Sequence, residues 1–215
     1  MQLELIRETA DYLVVNKPSG LLTMPARGSL VGKPDLEGLL RKQFGEIFVV
    51  HRLDMDASGL IIFAKNAAAH RYFSGLFETR DVEKKYLVVV EGYMQKERDE
   101  INKPLTQRGS GRMSVAFDGK ASLTKYSLSE KLKGASLLEV SIVTGRRHQI
   151  RAHLYSIGHP VLGDNTYGEA AAQRKFPRLM LHSWRLRFKD LSGKTVSCEA
   201  DPPADFMSVL KVLGH

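Results

Sequence analysis

Apolar residues in this chain gather in short continuous blocks, the pattern of strands covered on both faces, and only a few stretches place them at helical spacing. The first block, Tyr12-Leu13-Val14-Val15-Asn16, reads as a strand that ends at the turn signal Lys17-Pro18-Ser19-Gly20, before Leu21-Leu22-Thr23-Met24-Pro25 resumes. Ile47-Phe48-Val49-Val50 and Leu60-Ile61-Ile62-Phe63-Ala64 are two more, too unbroken to keep a wet face. Residues 84–92 form a further buried strand led by Tyr86, and 121–129 and 137–144 add two more. A short helix is predicted over 36–44. A second runs over 67–79, capped by Asn66, with Ala69, Phe73, Leu76 and Phe77 on one face and His70 and Arg71 off it. A third follows Thr144-Gly145, where Ile150, Leu154 and Ile157 recur at helical spacing and Gly158 supplies a stop. Residues 26–34 form a Gly-rich basic loop, and 93–120 a long charged, glycine-bearing excursion with room for a hairpin.

Two of the junctions carry chemistry. Between the runs 47–50 and 60–64 lies His51-Arg52-Leu53-Asp54-Met55-Asp56-Ala57-Ser58-Gly59, which sets an imidazole, a guanidinium and two carboxylates on the rim of a buried sheet. Loops held by a rigid scaffold are where reactive groups concentrate. A plain polar turn explains Asp56, Ser58 and Gly59 better than it explains Asp54. The second junction is Thr144-Gly145-Arg146-Arg147-His148-Gln149-Ile150-Arg151-Ala152-His153. Arginines in a helix's first turn oppose the macrodipole, a cost that an anion would offset, either a phosphate or a buried carboxylate. Arg151, next to apolar Ile150, needs a carboxylate if its stem is buried, and Asp54 is the candidate partner. His148 and His153 stand five apart and share no helix face, which argues against a zinc pair.

Composition selects the class of partner. The 215 residues are 43% hydrophobic and 26% charged, enough for one large core or two small ones, and a single domain with loop insertions is expected over 1–215. Lys plus Arg outnumber the acids 32 to 24, a formal charge of +8, which favours a polyanion. Cys198 is the only cysteine, so no disulfide within the chain and no cysteine-based zinc site can form. The first ten residues carry Glu4, Arg7 and Glu8, unlike a signal peptide, and no apolar run approaches membrane-spanning length, so a cytoplasmic protein with no membrane partner is expected. Arg108-Gly109-Ser110-Gly111-Arg112 could cradle a phosphate, but no nucleotide-triphosphate loop pattern is present.

Taken together and in order, these motifs identify a resemblance. Asn16-Lys17-Pro18-Ser19-Gly20, His51-Arg52-Leu53-Asp54 with Ser58-Gly59-Leu60, Lys85-Tyr86, Thr144-Gly145-Arg146 with His148-Gln149-Ile150-Arg151, Gly158-His159-Pro160, Leu162-Gly163-Asp164 and Leu181-His182 match the RluA family of pseudouridine synthases across nearly the whole chain. The resemblance implies an α+β fold: a long, mostly antiparallel, curved sheet flanked by helices, with a central RNA-binding cleft. It implies isomerisation of uridine in large-subunit ribosomal RNA, transfer RNA or both, without cofactor or metal. Asp54 would be the essential carboxylate, acting at the sugar C1′ or on the base, where an ionised carboxylate stabilises or traps positive charge. Arg151 would be its ion-pair partner. Tyr86 would stack on the target uracil and take part in loss of the C5 proton. Arg52 would fill the space left by a flipped base. Lys17, His51, Arg146, Arg147, His148, Arg108 and Arg112 complete the expected RNA contacts.

The chain departs from the family pattern at Ala57, where a threonine is usual, so a hydroxyl that could anchor the Asp54 loop is missing; Ser183-Trp184 follow Leu181-His182 where an alanine is common. The accessory amino-terminal RNA-binding module of many relatives is not expected, so a monomer recognising a short stem-loop through its catalytic domain is the reading. Two rivals stand beside it: a non-catalytic RNA-binding ribosome-assembly factor, and a nucleoside hydrolase, which would need a second acid better oriented than Asp56.

Overall fold

A computed structural model describes residues 3–26, 31–109 and 111–214. Part of the basic loop read at 26–34 and Ser110 of the glycine–arginine loop therefore lie outside the described residues. The elements, in chain order, are β1 (Glu4–Glu8), β2 (Tyr12–Lys17), α1 (Leu36–Phe44), β3 (Phe48–Val49), β4 (Ser58–Ala64), α2 (Ala67–Thr79), β5 (Glu83–Glu91), β6 (Arg98–Asn102), β7 (Leu105–Gln107), β8 (Met113–Val115), β9 (Leu123–Leu132), β10 (Ala135–Ile142), α3 (Gln149–Tyr155), α4 (Ala170–Gln173), β11 (Leu181–Lys189), β12 (Thr195–Glu199) and α5 (Ala204–Leu213). The fold is α+β with antiparallel strand pairing, and no described helix is long and apolar enough to cross a membrane. The chain forms two compact units, one of residues 1–84 with 183–201 and one of 85–182 with 202–215.

In the first unit the strands run β1-β2-β4-β11, with β3 pairing β4 and β12 pairing β11. All seven residues of β4 are buried, as its unbroken apolar run requires. One sheet face, made by Tyr12 and Val14, Leu60 and Ile62, Leu186 and Phe188, packs on Ala69 and Phe73 of α2. Edge-on contacts of 5.2–5.6 Å join Tyr12, Phe73 and Phe188 at its centre. The predicted Asn66 cap forms, accepting from Ala69 N–H on α2, and Asp35 caps α1 in the same way by accepting from Gly38 N–H. The resumed run at 21–25 is no strand; Leu22 makes one isolated bridge, to Asp35.

Gly59 fixes the spacing of β4 and β11. Its φ is +111°, and a Cβ there would fall 2.2 Å from Ser183 O and 2.6 Å from Ser183 N. Gly59→Ala is expected to cost at least about 2 kcal/mol, through backbone overlap and an unfavourable φ together. A urea midpoint equal to that of the wild type would show that the strands move apart freely.

In the second unit the order is β5-β10-β9-β6, with a bulge in the β10 pairing to β9 between Leu137 and Leu138. The excursion 93–120 resolves into β6 and the separate hairpin β7–β8, whose Leu105 and Met113 share a small core with Ala152 and Tyr167. Helix α3 ends as its sequence predicts: Gly158 takes φ +85°, and the amides of Gly158 and His159 bond Tyr155 O and Leu154 O.

Candidate active site

Asp54 is half-buried in a turn closed by Ala57 N–H donating to Asp54 O at 3.2 Å. The segment after β2 clasps this turn on both sides. Thr23 Oγ1 accepts from Leu53 N–H and donates to Leu53 O. Gly20 N–H and the Lys17 ammonium both reach Met55 O at 2.9 Å, and Ser19 Oγ donates to Asp56 O at 2.6 Å. The hydroxyl missing at Ala57 is thus made good by bonds from a different part of the chain. Arg52, beside the carboxylate, is exposed.

Lys17 leaves the set of expected phosphate contacts. Its side chain is fully buried, and Nζ donates to Pro18 O, Leu21 O and Met55 O at 2.7–2.9 Å. An ammonium so placed has replaced water by carbonyl oxygens, which offsets the cost of burying it. Its work is to hold the Asp54 turn.

His51 is corrected in the same sense. Its Nε2 accepts the Ile62 N–H of β4 at 2.9 Å, and its ring stacks on Phe77 at 4.3 Å. Burial pushes its pKa down to about 3, with the Lys84 ammonium adding to the effect. It is a neutral acceptor for a strand amide and not an RNA-binding cation. His153 is also buried, against Thr124 Oγ1 and Lys103 O, and burial lowers its pKa too. In the unfolded chain both imidazoles take up protons near pH 6.5, whereas in the fold His51 does so only near 3. The unfolded state therefore binds more protons in that window. Stability should be complete above about pH 6.5 and fall as pH drops toward 3, by roughly 1 kcal/mol per pH unit from His51 alone. Urea midpoints from pH 7.5 to 4.5 test this: His51→Gln should flatten the slope, and an unchanged slope would exclude His51 as its source.

On the second unit, Tyr86 is buried in β5 opposite Val140. Arg151 lies in the first turn of α3, buried, and forms a bidentate pair with Asp164: Nε to Oδ2 at 2.6 Å and Nη2 to Oδ1 at 2.8 Å. Asp164 thus supplies Arg151 with one buried carboxylate, a partner not expected from the sequence. Asp164 Oδ1 also accepts the amides of Thr166 and Tyr167. Gly163, at φ +76°, lets the Asp164 loop lie against Arg178, whose carbonyl oxygen leaves no room for a Cβ.

The motif around 144–151 has its own internal frame. Gln149 Oε1 accepts from Thr144 Oγ1 and Arg146 N–H, while its amide nitrogen donates to Leu123 O and Thr124 Oγ1. Arg146 and Arg147 precede the helix instead of occupying its first turn, and both are exposed. His148 takes a left-handed φ of +49° and lies 3.3 Å by Nδ1 from the Tyr167 hydroxyl. Arg108 is exposed, with Nε donating to Ser114 Oγ at 3.3 Å. Arg112 is no free loop cation: its guanidinium lies 4.8 Å from both the Tyr155 and Tyr167 rings. Tyr167, unassigned by sequence, thus carries Arg112, sits 5.2 Å from Arg151 and accepts the Met113 N–H of β8. Among the described residues no group of three or more His, Cys, Asp or Glu could hold a metal ion.

Comparison with known proteins adds a common theme. A family model described as RNA pseudouridylate synthase matches residues 11–156. Ribosomal large subunit pseudouridine synthase D of Zymomonas mobilis is 33% identical over 98% of this chain and 73% of its own length. The dual-specificity RNA pseudouridine synthase RluA of Pasteurella multocida is 34% identical over 93% of both chains. Human RNA pseudouridylate synthase domain containing 1 superposes with a TM-score of 0.80 at 31% identity, over 94% of this chain and 84% of its own.

Proposed function

This chain belongs to the RluA family of RNA pseudouridine synthases, and from that premise we propose that it isomerises uridine in large-subunit ribosomal RNA, transfer RNA or both. The reaction breaks the bond from C1′ to N1 of uracil, turns the base, forms a bond from C1′ to C5, and moves a proton from C5 to N1. Asp54 is the carboxylate that acts on the sugar or the base. Arg151 serves as a cation toward that carboxylate, and Tyr86 stacks on the uracil and assists departure of the C5 proton. Arg52 fills the gap left by the flipped nucleotide, and Arg146, Arg147 and Arg108 meet phosphates. The enzyme works in the cytoplasm as a monomer on a short stem-loop, whose unpaired bases proteins can reach.

The observation that carries this reading is the clasped Asp54 turn. Four residues of the 17–23 segment bond the backbone at Leu53, Met55 and Asp56, on either side of one half-buried carboxylate. A reactive group needs a fixed position, and a solvated surface turn needs no such frame. Carbodiimide mapping of ribosomal and transfer RNA from a strain lacking the gene tests it. A pseudouridine lost in the deletion and restored by the gene is the expected result; an unaltered set of sites together with an inactive purified protein would overturn it.

A further inference from the structure

We propose that Phe117 is a stacking contact for an unpaired base of the substrate RNA, a base other than the reacting uridine. The inference rests on the RNA-modifying function above and adds a recognition residue to it. Phe117 follows β8 and its side chain is fully exposed; Val115 of the same hairpin is also exposed. A lone exposed apolar residue on a flexible tail needs no explanation, but this one is held in place. Gly119 N–H donates to Ala116 O at 3.0 Å, closing a turn with Phe117 and Asp118 at its centre. Ala116 N–H donates to Pro104 O at 3.1 Å, and Leu105 and Lys120 exchange backbone bonds at 2.8 and 2.9 Å. Gly119 lies so close to the Leu105 backbone that a Cβ would fall 2.7 Å from it. Asp118 and Gly119 supply the turn chemistry, so the geometry does not require an aromatic ring before them.

Charge decides what the ring faces. Residues 103–125 carry five cations against one acid, Asp118; Arg112 lies on the Tyr155 and Tyr167 rings and Lys125 pairs with Glu100, which leaves Lys103, Arg108 and Lys120 for a polyanion. A cationic surface bearing an aromatic side chain is the arrangement that binds single-stranded nucleic acid, cations on the backbone and ring on the base. A second copy of this chain would bring the same +8 charge to the contact and be repelled. A ring held on a fixed turn also loses little freedom on binding.

The test compares wild type, Phe117→Ala and Phe117→Trp on unmodified transcripts of large-subunit ribosomal RNA and of transfer RNA. Affinity, kcat and KM for pseudouridine formation, and sedimentation of the free protein are all measured. Phe117→Ala should bind roughly tenfold more weakly and raise KM by a similar factor, with kcat unchanged. Phe117→Trp should restore both. Equal affinity for Phe117→Ala and wild type overturns the proposal, as does an equal loss in Phe117→Trp. Altered sedimentation of Phe117→Ala with unaltered RNA affinity overturns it in favour of self-association. Pseudouridine yield of the wild type is read in the same reactions, and its absence would refute the isomerase function separately, whatever Phe117 does to affinity.

Discussion

Asp54→Asn should leave a folded protein that binds RNA and forms no pseudouridine. The substitution keeps the size of the side chain and leaves in place the bonds from Lys17, Ser19, Gly20 and Thr23, which all engage backbone atoms of the turn. What it removes is the negative charge that, in the proposed reaction, stabilises or traps positive charge at C1′. Turnover on a transcript should fall at least about a thousandfold, equivalent to ~4 kcal/mol of transition-state stabilisation. A cooperative melt and an RNA affinity near wild type would confine the effect to chemistry. Turnover within a few-fold of wild type would remove Asp54 from the reaction.

Asp164→Ala should strongly destabilise the second unit. Arg151 and Asp164 are both buried, and the carboxylate serves two backbone amides besides the guanidinium. Removing one member of a buried pair takes the bidentate bond from the other, at about 3–5 kcal/mol. For a chain of this length that lowers the melting temperature by roughly 10 °C. Because Arg151 and Tyr167 are both tied to this loop, turnover should drop as well. An unchanged denaturant midpoint would mean that the pair contributes nothing net, and its role would then be positional only.

What the sequence disclosed follows the physics of burial. β2, β4 and β5 were legible because strands covered on both faces must be continuously apolar. α1 and α2 matched to the residue, α2 through its Asn66 cap. β1 and β6 are not legible, since ELIRE is nearly all exposed, RDEIN buries only Ile101, and their pairing is a backbone property. β12 shows strict alternation in TVSCE but is too short for that signal to stand alone. Within the site, Asp54 stood out by residue type and setting. Lys17 and His51 were misassigned because charge and titration range are visible in sequence, whereas burial against a carbonyl or a strand amide exists only once β2, β4 and the Asp54 turn are assembled. Asp164 is not legible as a further partner of Arg151 for the same reason: the two stand thirteen positions apart, and only the fold brings that carboxylate to the guanidinium.

The clasp on Lys17 has the form of a coordination site. Carbonyl oxygens from Pro18, Leu21 and Met55 converge on one cation, much as they would on a bound potassium or calcium ion, except that this cation is tethered to β2 by its own side chain. A tethered ion has no dissociation constant: chelators do not extract it and dilution does not release it. The shape of the Asp54 turn is therefore independent of the ionic medium, whereas the proposed arginine contacts to phosphate compete with it, so salt should loosen RNA binding and leave the turn intact.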